Sequence, residues 1–344
     1  MRIETTESDV IVFHDETSKA GVEKLNGHIL LFVPIKLKII SLQKTLFENN
    51  DPINSMKSLF SKISELRDEY RADQKFHFNE ISGKKWTKYN EAEKKLVEIG
   101  VDALRCKNPR IFCQPLHCKI AVIFFPEPIP NNIALYGGDE KKEKRLRFNE
   151  TLLRMLLKGA VHYLYDENNK VKIMKIITDG EPYHRKLSDN RILNRLIEES
   201  LAGGLREYVD IDKEAEIVHV FSDHKNYRED LEKYIYANML QLADMFLGSI
   251  IYSCLKGIKC HKIFPQIGKK VEDKKSIIAY PIKEMLDKRK RGSNFKYSSH
   301  YKSFAISKAY IENEEWKFEN IMSKEIEIDE KYQITLFDFV EELK

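Results

Sequence analysis

Apolar positions along this chain keep two rhythms. Short unbroken runs, rich in branched and aromatic residues, recur at "VIVFH" (10–14), "HILLFVP" (28–34), "KIAVIFFP" (119–126), "KIMKIITD" (172–179) and "EIVHVFSD" (216–223). They predict buried strands. Gly21 and Asn26-Gly27 mark the connection between the first two, and Pro34 and Pro126 are expected to end theirs. Between the runs the spacing changes to three and four. Met56, Leu59, Phe60, Ile63 and Leu66 make one apolar stripe, and residues 87–105, 146–165, 187–208 and 228–255 read the same way. These are amphipathic helices.

From residue 145 onward helix and strand alternate, which predicts an α/β fold in which strands have parallel neighbours. The segment "PEPIPNNIALYGGDEKK" (126–142) is rich in Pro, Asn and Gly and reads as a loop or flap. After residue 255 the pattern is set by charge. Residues 256–302 hold 14 Lys and Arg against 4 acids, and residues 303–344 hold 5 against 11. The expected division is a domain over 1–255 and a basic, then acidic, C-terminal extension over 256–344 packed on or beside it.

Composition changes the picture only a little. With 42% hydrophobic and 33% charged residues in 344, the chain can bury a large core beneath a charged surface. The net charge of +4 identifies no partner. The start "MRIETTESDV" has no basic-then-apolar signal pattern, and no apolar run reaches the ~18 residues needed to span a bilayer. A cytoplasmic protein with no membrane contact is expected. Five cysteines without a C-x-x-C pair make neither a disulfide framework nor a closed zinc site, although Cys106, Cys113 and Cys118 lie near His117.

The candidate chemistry lies in carboxylates. Three strand runs close on aspartate: Asp15 in "VIVFHDETS", Asp179 in "IITDG" and Asp223 in "VFSD". In a parallel α/β sheet functional groups collect at the carboxyl ends of strands. Aspartate is also favoured there simply as a turn or cap residue. A fourth acid, Asp244, falls within the apolar helix "YANMLQLADMFLGSI", with Leu240, Gln241, Leu247 and Gly248 a turn away. A carboxylate on such a face needs compensation, by a cation, a salt bridge or a capping contact. Glu80 in "KFHFNEISG" either reaches the same centre or is an exposed helix-start acid. Glu16 stands beside Asp15, and "DGEPYHRK" adds His184 and Arg185, residues suited to positioning a water or clamping a phosphate.

All-oxygen ligation by carboxylates suits Mg²⁺ or Mn²⁺. A pair of such ions activates water and stabilises the leaving oxygen in phosphodiester hydrolysis. The chain has no G-x-x-x-x-G-K-[ST], G-x-G-x-x-G or G-x-S-x-G, so those nucleotide cradles and that nucleophile elbow are excluded. The basic stretch "DKRKRGSNFKYSSHYKS" carries Lys288, Arg289, Lys290, Arg291 and Lys296 among Phe295, Tyr297 and Tyr301. Cations for phosphates and rings for bases suit a nucleic-acid strand, and an ordinary solvated loop has the same composition.

Taken in order, "HDETS", "FHFNEI", "TDG", "FSD" and "LQLADMFLGSI" resemble the motifs of a large prokaryotic family called domain of unknown function 3800. The last of them is the most specific, and the resemblance spans roughly residues 9–255. It implies an RNase H-like fold with a five-stranded mixed sheet flanked by helices. It also implies a carboxylate metal site in which Asp15 is the first-strand ligand, Asp179 the central-strand ligand and Asp244 the last-helix ligand. Glu80 best fits the second acid, with Glu16 and Asp223 as alternatives. Lys19 stands where the family has a glycine after its opening acids. The expected function is a divalent-metal-dependent nuclease acting on DNA or RNA, an activity prokaryotes often use in mobile-element defence. The alternatives are a catalytically weak nucleic-acid- or partner-binding protein on the same fold and a small-molecule phosphoesterase.

Overall fold

The computed structural model describes residues 6–20, 25–39, 55–104, 117–126, 141–165, 169–179, 209–256, 265–290, 303–313 and 315–320. Seven strands form one mixed sheet: β1 (Thr6–Ala20), β2 (Leu25–Ile39), β3 (Lys119–Pro126), β4 (Asn169–Asp179), β5 (Val209–Val220), β6 (Phe304–Glu312) and β7 (Glu315–Asn320). Their spatial order is β5-β4-β1-β2-β3-β6-β7. β1, β2 and β3 form an antiparallel meander, whereas β4 runs parallel to both β1 and β5, and β6 runs parallel to β3. Five helices belong to the described residues: α1 (Ser55–Tyr70), α2 (Lys88–Leu104), α3 (Lys141–Leu164), α4 (Leu231–Ile251) and α5 (Lys274–Lys290). None of them is long and apolar enough to cross a membrane.

Side-chain alternation along the central strands makes two cores, one on each face of the sheet. Ile11, Phe13, Ile29, Leu31 and Ile177 pack with α1, α2, α4 and α5. Val10, Val12, Leu30, Phe32 and Ile176 pack with α3. The helix α4 is buried along nearly all its length, which explains why it reads as the most apolar helix of the chain. Asp230 opens it, accepting a hydrogen bond from the Lys233 N–H.

Two expectations need correction. Pro34 does not end β2, which continues to Ile39. The pairing skips a residue there: Val10 faces Pro34, while Asp9 faces Lys36. A proline, which has no N–H to donate, is tolerated at such a bulge. The first strand does not end at Asp15 either. β1 runs on through Glu16 and Thr17, paired with His28 and Gly27 of β2. What ends beside Asp15 is the parallel pairing with β4, whose last rung is His14 with Thr178. The C-terminal region contributes to the same sheet and core, since β6 pairs with β3 and α5 packs against α2 and α4.

Candidate carboxylate site

The geometry starts from strand register. Phe13 faces Ile177 and His14 faces Thr178, so Asp15 and Asp179 occupy the next rung of adjacent parallel strands. Neighbouring strands lie about 4.8 Å apart, and alternation turns both aspartates toward the α4 face, where Phe13 and Ile177 already point. Asp244 comes to this place from α4, which packs across β1. Its carboxyl group lies close to that of Asp15. Burial, reinforced by the charges of Asp244 and then Asp179, holds the Asp15 carboxyl well above the usual carboxylate range. Burial raises Asp244 too, opposed by His77, by the Phe78 N–H and by Lys75. Two buried carboxyl groups so close together favour a proton or a cation between them.

Asp244 and Asp179 are each held by a polar frame. Asp244 Oδ2 accepts from the Phe78 N–H at 2.7 Å and lies 3.9 Å from His77 Nδ1. Asp179 accepts from the Ser222 hydroxyl at 2.6 Å and from the Ser222 N–H at 3.3 Å. Gln241, one turn before Asp244, is fully buried and ties the two halves together. It accepts from the Phe76 N–H at 2.8 Å and from Arg67 at 2.6 Å, and it donates to the Ser222 carbonyl at 2.6 Å. Arg67 is itself buried, reaching Asn238 and the carbonyls of Ala72 and Gln74, with its guanidinium 4.4 Å from the centre of the Phe76 ring. Burial lowers it to about 10, so it remains a cation.

This frame explains the local sequence. Alternate N–H groups of "FHF", at Phe76 and Phe78, meet Gln241 and Asp244 three residues apart on one helix face. Gly248, one turn further, gives the Phe78 ring its place: a Cβ there would lie 2.1 Å from Phe78 Cγ. The helix must therefore carry Gln, Asp and Gly at that spacing for the segment to lie flat against it. Arg67 escaped sequence reasoning, because a charged residue in the last turn of an amphipathic helix looks like a surface residue; Ser222 and Asn238 lay within quoted motifs, but nothing there revealed their partners. Gln241 was visible within its motif, but its partners were not.

The other expected residues go elsewhere. Glu16 faces the α3 side, as strand alternation requires, and stands 3.8 Å from His28 Nε2. There His28 Nδ1 is 3.0 Å from His14 Nε2, and His14 Nδ1 is 2.9 Å from the Thr178 hydroxyl. Asp223 lies beyond the end of β5 and caps the short turn His224–Tyr227, accepting from the Lys225 N–H. Glu80 is exposed and lines a cleft beside the pair. His184, Arg185, Arg291 and Lys296 lie outside the described residues. Lys288, Arg289 and Lys290 belong to the last turn of α5, with side chains outside the described residues. Cys118 is buried in the core, and burial pushes its thiol up to about 12, as expected of a packing residue.

Among the described residues no three His, Cys, Asp or Glu side chains close around a single point as a finished ion cage does. The arrangement is a close carboxyl pair, Asp15 and Asp244, with a third carboxylate, Asp179, across from Asp15 on the adjacent strand. As a donor set it is all oxygen, crowded and short of positive charge, which fits a hard divalent cation. Comparison with protein-family models, with curated proteins and with solved structures finds no match to this chain.

Proposed function

We propose that the chain is a divalent-metal-dependent phosphodiesterase, a nuclease, with Asp15, Asp179 and Asp244 as the ligands of Mg²⁺ or Mn²⁺. The observation that carries this reading is the burial of the Asp15 and Asp244 carboxyl groups close to one another on the α4 face of the sheet. Like charges are brought together there from a strand and a helix far apart in sequence, and no described ammonium or guanidinium pairs with either. Five of the strands, β3-β2-β1-β4-β5, form a mixed sheet of the kind the RNase H-like resemblance implies, with β6 and β7 added at one edge.

A cation held there supplies activation of a water and stabilisation of the leaving oxygen. The chain's own residues supply position. The Phe78 N–H fixes one oxygen of Asp244, and Ser222 fixes both oxygens of Asp179. Metal ligands are commonly oriented by such partners. A cation bound there would compete with protons for these two raised carboxyl groups, so its binding would strengthen as pH rises.

The test combines Asp15→Asn, Asp244→Asn and the unaltered protein. Mn²⁺ should raise the melting temperature of the unaltered protein and raise that of each variant much less. Cleavage of single-stranded and duplex DNA and RNA should require Mn²⁺ or Mg²⁺ and be lost in both variants. An Asp244→Asn protein that is destabilised equally with and without metal would refute the metal site. An intact metal response without cleavage of any substrate would favour a binding protein on the same fold.

A further inference from the structure

A cleft of about 530 Å³ opens next to the carboxyl pair. His77 belongs to both, since it lines the cleft and stands 3.9 Å from Asp244. The size suits a single nucleotide. Three lysines line it: Lys75, Lys225 and Lys274. Lys274 is anchored, donating to the Ser82 carbonyl at 2.8 Å. Lys225 is exposed and Lys75 half-buried, and among the described residues no carboxylate pairs with either ammonium. Lys75 is close enough to Asp244 to stabilise its charge. These two cations lie free at the side of the proposed phosphodiester chemistry.

The cleft also contains an acid that the carboxylate site does not use. Glu93 on α2 is only 2% exposed, and it lines the cleft. One of its oxygens accepts from Asn90 Nδ2 at 2.8 Å. Asn90 itself is committed, because its Oδ1 accepts from the Thr87 N–H and hydroxyl at the start of α2. Burial pushes the Glu93 carboxyl up to about 7, with Asn90 and Lys274 opposing. An interior acid of this kind is short of donors, and a ligand that brings N–H groups would complete it.

We propose that this cleft is a nucleotide subsite, in which Lys75 and Lys225 hold the phosphate beside the Asp15–Asp244 pair and Glu93 accepts from the N–H edge of the base. It rests on the phosphodiesterase reading of the neighbouring pair. Of the four common bases guanine places two N–H donors side by side, the arrangement that an ionised carboxylate accepts, so guanine is the preferred occupant above about pH 7, where Glu93 has lost its proton. Glu80, also lining the cleft, adds a second carboxylate that disfavours a bare polyanion.

The test is binding of the four nucleoside 5′-monophosphates and of inorganic phosphate, measured by calorimetry in EDTA, to the unaltered protein, Glu93→Gln, Lys75→Ala and Lys225→Ala. GMP should bind most tightly, and inorganic phosphate at least about tenfold more weakly. Glu93→Gln should cut the preference for GMP over UMP by about tenfold while leaving UMP nearly unchanged. Each lysine variant should weaken all four nucleotides by a similar factor and reduce the salt dependence of binding. Equal binding of phosphate and GMP, or a preference untouched by Glu93→Gln, would overturn the subsite. The EDTA assay keeps this separate from the metal reading. Cleavage without nucleotide binding overturns the subsite alone, whereas nucleotide binding with the expected Glu93 dependence supports it even if no substrate is cleaved.

Discussion

Replacing Gly248 by alanine should damage the carboxylate site without touching a carboxylate. The added Cβ would fall 2.1 Å from Cγ, 2.3 Å from Cδ1 and 2.5 Å from Cβ of Phe78. Carbon atoms in contact need about 3.5–4.0 Å, so the Phe78 residue must retreat by roughly 1.5 Å. Its N–H donates to Asp244 at 2.7 Å, and a retreat of that size carries the bond past the distance at which it counts as one. Overpacking costs about 1–3 kcal/mol, and a lost hydrogen bond to a charged group about 1.5–3 kcal/mol. The better helix propensity of alanine returns about 1 kcal/mol. The net loss should be about 3 kcal/mol, read from urea unfolding.

Gly100→Ala is the matched control. Its Cβ would crowd Phe246 Cζ at 2.5 Å and Leu242 Cδ1 at 2.7 Å, where α2 meets α4, and no hydrogen bond to Asp244 depends on that contact. Both variants should lose stability, but only Gly248→Ala should also lose most of the Mn²⁺-induced rise in melting temperature. A Gly248→Ala protein as stable as the unaltered one, with a full metal response, would refute the claim that the "FHF" segment positions Asp244.

Three other outcomes follow from the same contacts. Glu93 keeps its proton to about pH 7 in the folded chain against about 4.5 for an ordinary glutamate, so its contribution to stability is fully present below about 4.5 and is lost as pH rises through about 7. The loss amounts to about 3 kcal/mol across that window; Glu93→Gln should flatten that part of the curve, and unfolding at pH 5 and pH 8 in both proteins checks it. Ser222→Ala removes the 2.6 Å bond to Asp179 and should weaken Mn²⁺ binding by about ten- to a hundredfold with a fold that stays intact, as calorimetric titration would show. Arg67→Met strands Gln241, Asn238 and two backbone carbonyls in the interior and should cost about 3–5 kcal/mol, whereas a loss below about 1 kcal/mol would mean that water replaces the guanidinium.

The α/β class and the existence of β1 to β5 and of α1 to α4 were legible because a buried strand and an amphipathic helix leave different periods in the sequence. Asp15, Asp179 and Asp244 stood out as candidates. An acid that closes an apolar run or interrupts an apolar helix face breaks the local pattern, and such a break marks chemistry or compensation. The helix α5 escaped, since its charged face hides the period. The length of β1 and β2 escaped as well: pairing between the two strands continues through Glu16 and past Pro34, and pairing is a property of two segments.

Which acids work together was a tertiary decision. Asp15 and Glu16 are adjacent in sequence, yet the pleat sends one toward Asp179 and Asp244 and the other toward His28 on the opposite face. Glu80 and Asp223 have the same chemistry as the chosen acids, but the packing of α4 against β1 leaves one beside the cleft and uses the other as a cap. Nothing in its sequence neighbourhood sets Glu93 apart from the other acids of α2, and only the packing of α2 removes it from water. The chain by itself determines which residues carry charge and which stretches must be buried. The close approach of two carboxyl groups from segments more than two hundred residues apart, and the burial that raises both, exist only once the sheet and α4 have closed over them, because burial and charge proximity are properties of the assembled interior.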